Sequence, residues 1–424
     1  MARIEIYKLG PIEECSIEID NFTVLTGRQA SGKSTVAKSV YFFRTIKEDI
    51  CDIKIKKSLL GSSTSLFQDV TRVLRNKFLQ LFGTSMAMDP DMKLKYYYDE
   101  DTFIEVTLKL QSRTEFLLPN FVWFDFSPNI FAYLSEDIPS KEIEKEKLKK
   151  EVNEVFRDEK DCIFIPAGRS LITLLTSQLN YLFATMDDEQ KSSIDFCTQK
   201  YIERILKIRP LFSDGLDGLV SQKKNIPGVV LDLKIIAELL ERIERILKGK
   251  YVYKDGEERL YINRERFVKI NYTSSGQQET VWIFNILLHL MINNTKSFII
   301  LEEPEAHLYP EAQKYIVDIL ALISNKECGI MLTTHSPYIL GALNNLIYAN
   351  YLSQSRDLHE KVEKEIKKIY HIQNHNAYFL EDGRLMPCLE ENENKLIINE
   401  VIDGASADIN ELFDKLFEIE YIRE

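Results

Sequence analysis

The chain has 424 residues, 45% of them apolar, enough for two ordinary domains or one large domain with an inserted lobe. A formal net charge of −12 argues against a protein whose main work is coating nucleic acid, although a local basic strip stays open. Six scattered cysteines with no CxxC spacing speak against disulfides and zinc, and no stretch approaches the roughly 20 apolar residues of a membrane span, so a soluble cytoplasmic protein is expected.

At the N-terminus, "RIEIYKL", "CSIEID" and "FTVLT" read as three short strands split by Gly-Pro and Asp-Asn turns. There is no basic-then-apolar leader pattern. A helix is expected to start at Gly32 or Lys33 and run through "STVAKSVYFFRTIK". A Ser-rich loop and a second helix, "LFQDVTRVLRNKFLQLF", follow. "MKLKYYYDEDTFIEVTLKL" predicts a hairpin turning near Asp99–Asp101. Residues 136–161 are mostly Lys and Glu, a solvated helix or short helical hairpin. At about 35–40 Å as helix it is far too short for a long coiled-coil arm.

"DCIFIPAGRS" predicts a buried strand and a Pro-Gly turn presenting Arg169. Residues 170–207 and 229–249 have helical apolar spacing. "KYVYKDGEERLYINRERFVKINYT" predicts short strands with Asp-Gly at one turn. "SFIILEEPEAHL" and "CGIMLTTHSP", each followed by a helix, read as βα units of a largely parallel sheet. "NAYFLEDGRLMPC" is a last hairpin, and "DINELFDKLFEIEYI" a terminal helix.

Four patterns carry chemistry. "TGRQASGKST" has the spacing of a phosphate-cradling loop. Gly27 and Gly32 let the backbone N–H groups of Ala30, Ser31 and their neighbours point inward, and the next helix aims its positive end there. Lys33 is expected to reach the β- and γ-phosphates, and Ser34 to offer a hydroxyl to Mg²⁺. In "FIILEEPEAHL" an apolar strand delivers two adjacent carboxylates, Glu302 for the metal and Glu303 to polarise the attacking water. "TSSGQQE" places Ser274, Ser275 and Gly276 at a helix start, a second anion-binding turn. One nucleotide hardly needs two cradles, whereas two copies head to tail need both. In "LTTHSP", His335 at a strand tip can touch the γ-phosphate.

The order of these patterns resembles the ABC-type ATPase family, with Walker A, signature, Walker B and H-loop in sequence. Within it, "FTVLTGRQASGKST", "SSGQQE", "LEEPEAHLYPEAQ" and "TTHSPYIL" are most similar to the RecF/OLD-like branch of stand-alone bacterial ATPases. The likeness covers the first fifty residues and about 270–350. It implies an α/β fold: an ABC-ATPase head with a mixed, largely parallel sheet, an antiparallel β subdomain and an inserted, mainly helical lobe. The expected divisions are 1–135 (first half of the head), 136–250 (helical lobe), 251–350 (second half) and 351–424 (hairpin and helix tail).

By the same resemblance, Gly27, Ala30, Ser31, Gly32, Lys33, Ser34 and Thr35 hold ATP and Mg²⁺. Glu302 binds the metal, Glu303 is the catalytic base, His335 is the switch histidine, and Ser274, Ser275 and Gly276 cap the partner's γ-phosphate. Glu302 stands where the family usually has Asp. The Q-loop glutamine has no clear counterpart, with Gln80 and Gln178 as candidates. Arg169 is open between a place near the phosphates and a structural ion pair. His371 and His375 have i, i+4 spacing, but no acid or Cys accompanies them, so they are not read as a metal site. The tail lacks the Asp-x-Asp cluster of the Toprim nuclease domain that OLD-type proteins carry.

The implied activity is ATP hydrolysis by a nucleotide-sandwich homodimer, with room for a higher oligomer. Nuclease-free relatives resemble the sensor half of two-gene anti-phage systems such as Septu or PARIS, which implies a separate effector, a nuclease or toxin. A DNA-repair or DNA-end-binding head is the alternative, so DNA stays open as a partner. A transporter subunit fits poorly, because the signature lies much further from the phosphate loop than in transporters.

Overall fold

In the computed structural model, which describes residues 1–60, 64–109, 121–136, 144–173, 181, 185–187 and 194–398, the described strands form an 11-stranded sheet and a 3-stranded one. They are β1 (Ala2–Leu9), β2 (Ile12–Ile19), β3 (Phe22–Gly27), β4 (Lys93–Tyr97), β5 (Phe103–Lys109), β6 (Phe121–Phe126), β7 (Asp161–Ile165), β8 (Lys250–Lys254), β9 (Glu257–Tyr261), β10 (Phe267–Lys269), β11 (Ser297–Glu302), β12 (Gly329–Thr333), β13 (His375–Glu381) and β14 (Arg384–Met386). The large sheet runs β6-β5-β4-β1-β2-β14-β13-β3-β12-β11-β7, and β10-β9-β8 stand apart. From β13 to β7 the neighbours are parallel, while β6 to β2 form an antiparallel wing. This is the mixed α/β head that the motifs imply.

The central parallel strands carry consecutive apolar residues, "FIIL" in β11, "CIFI" in β7 and "IML" in β12, because both faces are covered. On β11, Phe298 and Ile300 enter one core, Ile299 and Leu301 the other. On β7, Cys162 and Phe164 likewise part from Ile163 and Ile165. One face carries α1 (Lys33–Arg44), α2 (Ile46–Leu60), α3 (Leu66–Phe82), α4 (Pro128–Leu134) and α5 (Lys145–Phe156). The other carries α6 (Phe196–Ile208), α7 (Gly215–Lys224), α8 (Leu233–Leu247), α9 (Ser275–Ile292), α10 (Pro310–Ser324) and α11 (Pro337–Leu352). The short α12 (Arg356–Glu365) has no buried residue. Past Glu279, helix α9 is mostly apolar on every face and is buried accordingly, with Trp282 fully enclosed between Phe212 and Tyr251.

The expected first helix ends early. Thr45 caps α1 by bonding back to Tyr41, and "IK" opens α2. Both Asp-Gly turns are present, with Asp255–Gly256 and Asp382–Gly383 all at positive φ, as a two-residue hairpin requires. Strand β7, expected at "DCIFI" within the 136–250 division, pairs with β11 and forms an edge of the main sheet. The last hairpin inserts between β2 and β3. The expected terminal helix and Gln178 lie outside the described residues. All six cysteines are buried and unpaired. Among the described residues no helix is long and apolar enough to cross a membrane.

Strand β13 pairs with β3 along the whole of β3, from Phe22 to Gly27, and Gly27 permits this. It has φ 141°, and a Cβ there would lie 2.2 Å from the Leu380 carbonyl oxygen. Gly27→Ala is therefore expected to cost at least about 2 kcal/mol. Gly341→Ala, in α11 with open space around it, is expected to add about 1 kcal/mol. Chemical denaturation checks both, and equal effects would contradict the packing account.

Candidate functional site

Strands β3, β12, β11 and β7 are in register, Leu25 beside Thr333, Thr333 beside Glu302, and Leu301 beside Ile165. Their C-terminal tips therefore deliver residues 26–35, 334–336, 302–305 and 166–170 to one edge, the usual ligand edge of a parallel sheet. The sequence-read residues Lys33, Glu302, Glu303 and His335 thus converge from segments nearly three hundred residues apart.

The phosphate loop curls through positive φ at Gly27 (141°), Ala30 (60°) and Gly32 (104°), the alternation that turns successive N–H groups inward. Gly32 has no room for a side chain, since a Cβ would fall 2.3 Å from Ile12 Cδ1. Lys33 opens α1 and is buried, its Nζ donating to the carbonyls of Gly27 (2.9 Å) and Arg28 (2.7 Å) and to Ser31 Oγ (3.4 Å). Burial pushes its pKa down to about 8, against the attraction of Glu303 and Glu305. Ser34 and Thr35 follow on the first turn. They line a cavity of about 610 Å³ with Gly10, Ile12, Lys38 and Phe82.

Glu302 is buried at the tip of β11. Its Oε2 accepts from Ala167 N (3.3 Å), and its Oε1 is buried without any partner. Burial raises its pKa, opposed first by a hydrogen bond from Ser34. A divalent cation suits this pair: it satisfies the orphaned oxygen and returns the carboxyl to its charged form. Glu302 and Ser34 fit Mg²⁺ on those grounds, the extra methylene over Asp notwithstanding.

Adjacent residues of a strand point to opposite faces, which would separate Glu302 from Glu303. Glu303 instead adopts φ 41°, its N–H bonded to Thr333 O (2.9 Å). Its carboxylate then meets His335, with Oε1 3.2 Å from Nε2. That hydrogen bond holds the Glu303 pKa below the usual carboxylate value, helped by the charges of His335, Lys33 and Arg169. Glu303 is therefore ionised at neutral pH, as a proton acceptor must be.

A third carboxylate was missed in the sequence. Glu305 Oε1 accepts from Thr334 Oγ1 (2.6 Å) and from His335 N (2.9 Å), fixing the loop that carries the imidazole. The third acid of "EEPEAHL" was the available signal. Arg169 is fully buried and forms the ion pair of its two open readings. Its Nε lies 3.2 Å from Glu279 Oε2, and its terminal nitrogens bond backbone carbonyls. Glu279, the lone acid of an apolar helix, was likewise overlooked. Gln80 is exposed on α3. His371 and His375 each engage a backbone carbonyl, of Ile366 and Lys395.

The serine turn is built as expected but stands alone. Ser274 caps α9 in a reciprocal box with Gln277, and Gly276 lies so close to His307 that a Cβ would meet its carbonyl oxygen at 2.6 Å. Ser274 and Ser275 are exposed, and among the described residues no hydrogen bond or ion pair links Ser274, Ser275 or Gly276 to Lys33, Glu302, Glu303 or His335.

No curated protein shows a sequence match to this chain. Among solved structures it is similar to the SmcHead bound to the C-winged helix domain of ScpA (12% identity, TM-score 0.42, covering 80% of this chain and 90% of that one). It is also similar to the SMC head domain from Thermotoga maritima (12% identity, TM-score 0.34, 80% and 90%). A third such structure is an Smc head domain with an extended coiled coil, bound to the C-terminal domain of ScpA derived from Pyrococcus furiosus (12%, TM-score 0.36, 81% and 92%). Residues 1–340 match the AAA ATPase domain model (AAA_15), and with the phosphate loop, paired carboxylates and strand-tip histidine at one sheet edge this chain belongs to that family of nucleotide-binding ATPases.

Proposed function

We propose that this ATPase works as a head-to-tail dimer in which each ATP lies between the phosphate loop of one chain and the Ser274 turn of the other. The observation that carries this reading is the division of the donors. One helix start holds Lys33 beside the carboxylates, while a second, at Ser274, is exposed and, among the described residues, has no hydrogen bond or ion pair to a carboxylate. Lys33, the loop N–H groups and Thr35 bind the triphosphate, and the cavity beside Ser34 and Thr35 has space for the nucleoside. Ser34 and Glu302 hold Mg²⁺, which neutralises phosphate charge when bound. Glu303 accepts the proton of the attacking water, and His335, donating to Glu303, orients it and reads the γ-phosphate. The two-fold use of ATP as a bridge makes nucleotide state a switch between closed and open heads.

Such a switch needs something to act upon. We propose that this head is the sensor half of a bacterial anti-phage pair, passing its closed or open state to a separate effector. The support is the resemblance of its motifs to the RecF/OLD-like branch.

Mixing two inactive variants tests the shared site. Lys33→Ala disables one chain's phosphate loop. Ser274→Glu introduces an acid that a helix start tolerates but that repels the partner's phosphates. Each alone is expected to be inactive. A mixed dimer retains one intact site, so an equimolar mixture is expected to recover up to about a quarter of wild-type activity per chain. Folded variants that form no mixed dimer in ATP, or an active Ser274→Glu, contradict the sandwich.

A further inference from the structure

The Ser274 turn and the catalytic carboxylates belong to different nucleotides in the proposed dimer, yet one buried side chain ties them together within each chain. Arg169 has no exposed surface, and Glu279 is 1% exposed. The guanidinium donates through Nε to the Glu279 carbonyl (3.1 Å), through one terminal nitrogen to Pro166 O and Glu302 O (2.7 Å), and through the other to Glu303 O (2.9 Å). The Glu279 carboxylate, one turn and a half along α9 from Ser274, accepts from the N–H groups of Arg169 (3.0 Å) and Ser170 (2.9 Å). Ala167, in the same turn, donates to Glu302 Oε2.

We infer that Arg169 and Glu279 are positioning residues that transmit partner engagement at the Ser274 turn to the backbone carrying Glu302 and Glu303. This rests on the sandwich reading and deepens it. A buried ion pair that only filled space would be satisfied by side-chain contacts. This one spends its donors on the carbonyls of the two residues proposed to bind metal and activate water, while its acid sits on the helix whose first turn meets the partner. A planar guanidinium with five N–H donors can hold these four carbonyls at fixed angles, and the three donors of an ammonium cannot. When the partner's triphosphate pulls on the start of α9, Glu279 moves with the helix, and Arg169 carries that shift to Glu302 and Glu303. Each site would then sense whether the other is filled.

Arg169→Lys and Glu279→Gln in the full chain test this. The wild type is expected to hydrolyse ATP with a Hill coefficient near about 2, one for each linked site. Both variants are expected to fall to about 1 and to lose up to about 10²-fold in kcat. ATP affinity at protein concentrations too low for dimers should stay within about threefold, because Lys33 and its loop are untouched. Should the single variants not fold, Arg169→Met combined with Glu279→Leu removes the buried pair without leaving a lone charge, and the same drop in Hill coefficient is expected. Folded variants that keep the wild-type Hill coefficient overturn the inference, as does a wild type with a Hill coefficient of about 1 whose activity Ser274→Glu abolishes. If Ser274→Glu is fully active, the sandwich itself has failed, and the inference with it.

Discussion

Glu303→Gln is expected to lower kcat by about 10²–10⁴-fold while ATP still binds, and to leave the protein as a persistent ATP-bound dimer. The amide has the shape of the carboxylate and its oxygen can still accept from His335 Nε2, so the pairing at 3.2 Å is kept in kind. What is lost is the capacity to take a proton from water. The phosphate loop, Ser34 and Glu302 are unchanged, so nucleotide and Mg²⁺ binding should persist, and closure, driven by binding, no longer ends in hydrolysis. Size-exclusion mass in Mg²⁺ and ATP should show a dimer for the variant and a return to monomer for the wild type as ATP is spent. Glu302→Gln is the informative contrast. It weakens the cation site, so it should lose both hydrolysis and the trapped dimer. A Glu303→Gln protein that hydrolyses at the wild-type rate removes Glu303 from its role.

The pH dependence follows from the same contact. The Glu303 pKa is held down chiefly by the His335 hydrogen bond, so the acid limb of the rate profile should lie below the ordinary carboxylate value. In a His335→Ala variant the first of the lowering causes is gone, and the acid limb should move up in pH.

Much of this site was legible in the sequence because its parts are local. Glycine spacing, an apolar strand ending in two acids and a histidine after a strand each mark one strand tip, and parallel pairing then brings the tips together. What the sequence hid is long-range. Nothing in "NAYFLEDGRLMPC" says that it lies beside β3 with Leu380 against Gly27, since its alternation suits any half-buried strand. Arg169 stayed open to a place near the phosphates beside its structural reading, because a sequence shows that a cation ends a buried strand but not which acceptors it meets. Glu305 was not singled out. Its work, holding Thr334 and His335, depends on a segment thirty residues further on.

Replacing Lys33 should abolish nucleotide binding without harming the fold, a combination that separates a ligand-binding lysine from a structural one. Its ammonium is buried among backbone carbonyls at a cost, which lowers its pKa from 10.5 to about 8. Between those values the unfolded chain holds a proton that the folded chain has released. Stability from this group therefore rises with pH from about 8 to 10.5, and at neutral pH the group works against folding. Lys33→Met relieves that cost, while the Arg28 carbonyl can turn to water. The ligand-free variant should melt no lower than the wild type and should lose the pH slope above 8. With nucleotide the order reverses. At a hundred times its Kd, ATP should add about 2.7 kcal/mol to the wild type and nothing to the variant. Binding a triphosphate restores the charged lysine, so wild-type affinity should fall by up to about tenfold per pH unit above pH 8, with proton uptake seen by calorimetry in two buffers. A Lys33→Met protein that unfolds early, or one that ATP still stabilises, would mean that the ammonium serves the loop and not the ligand.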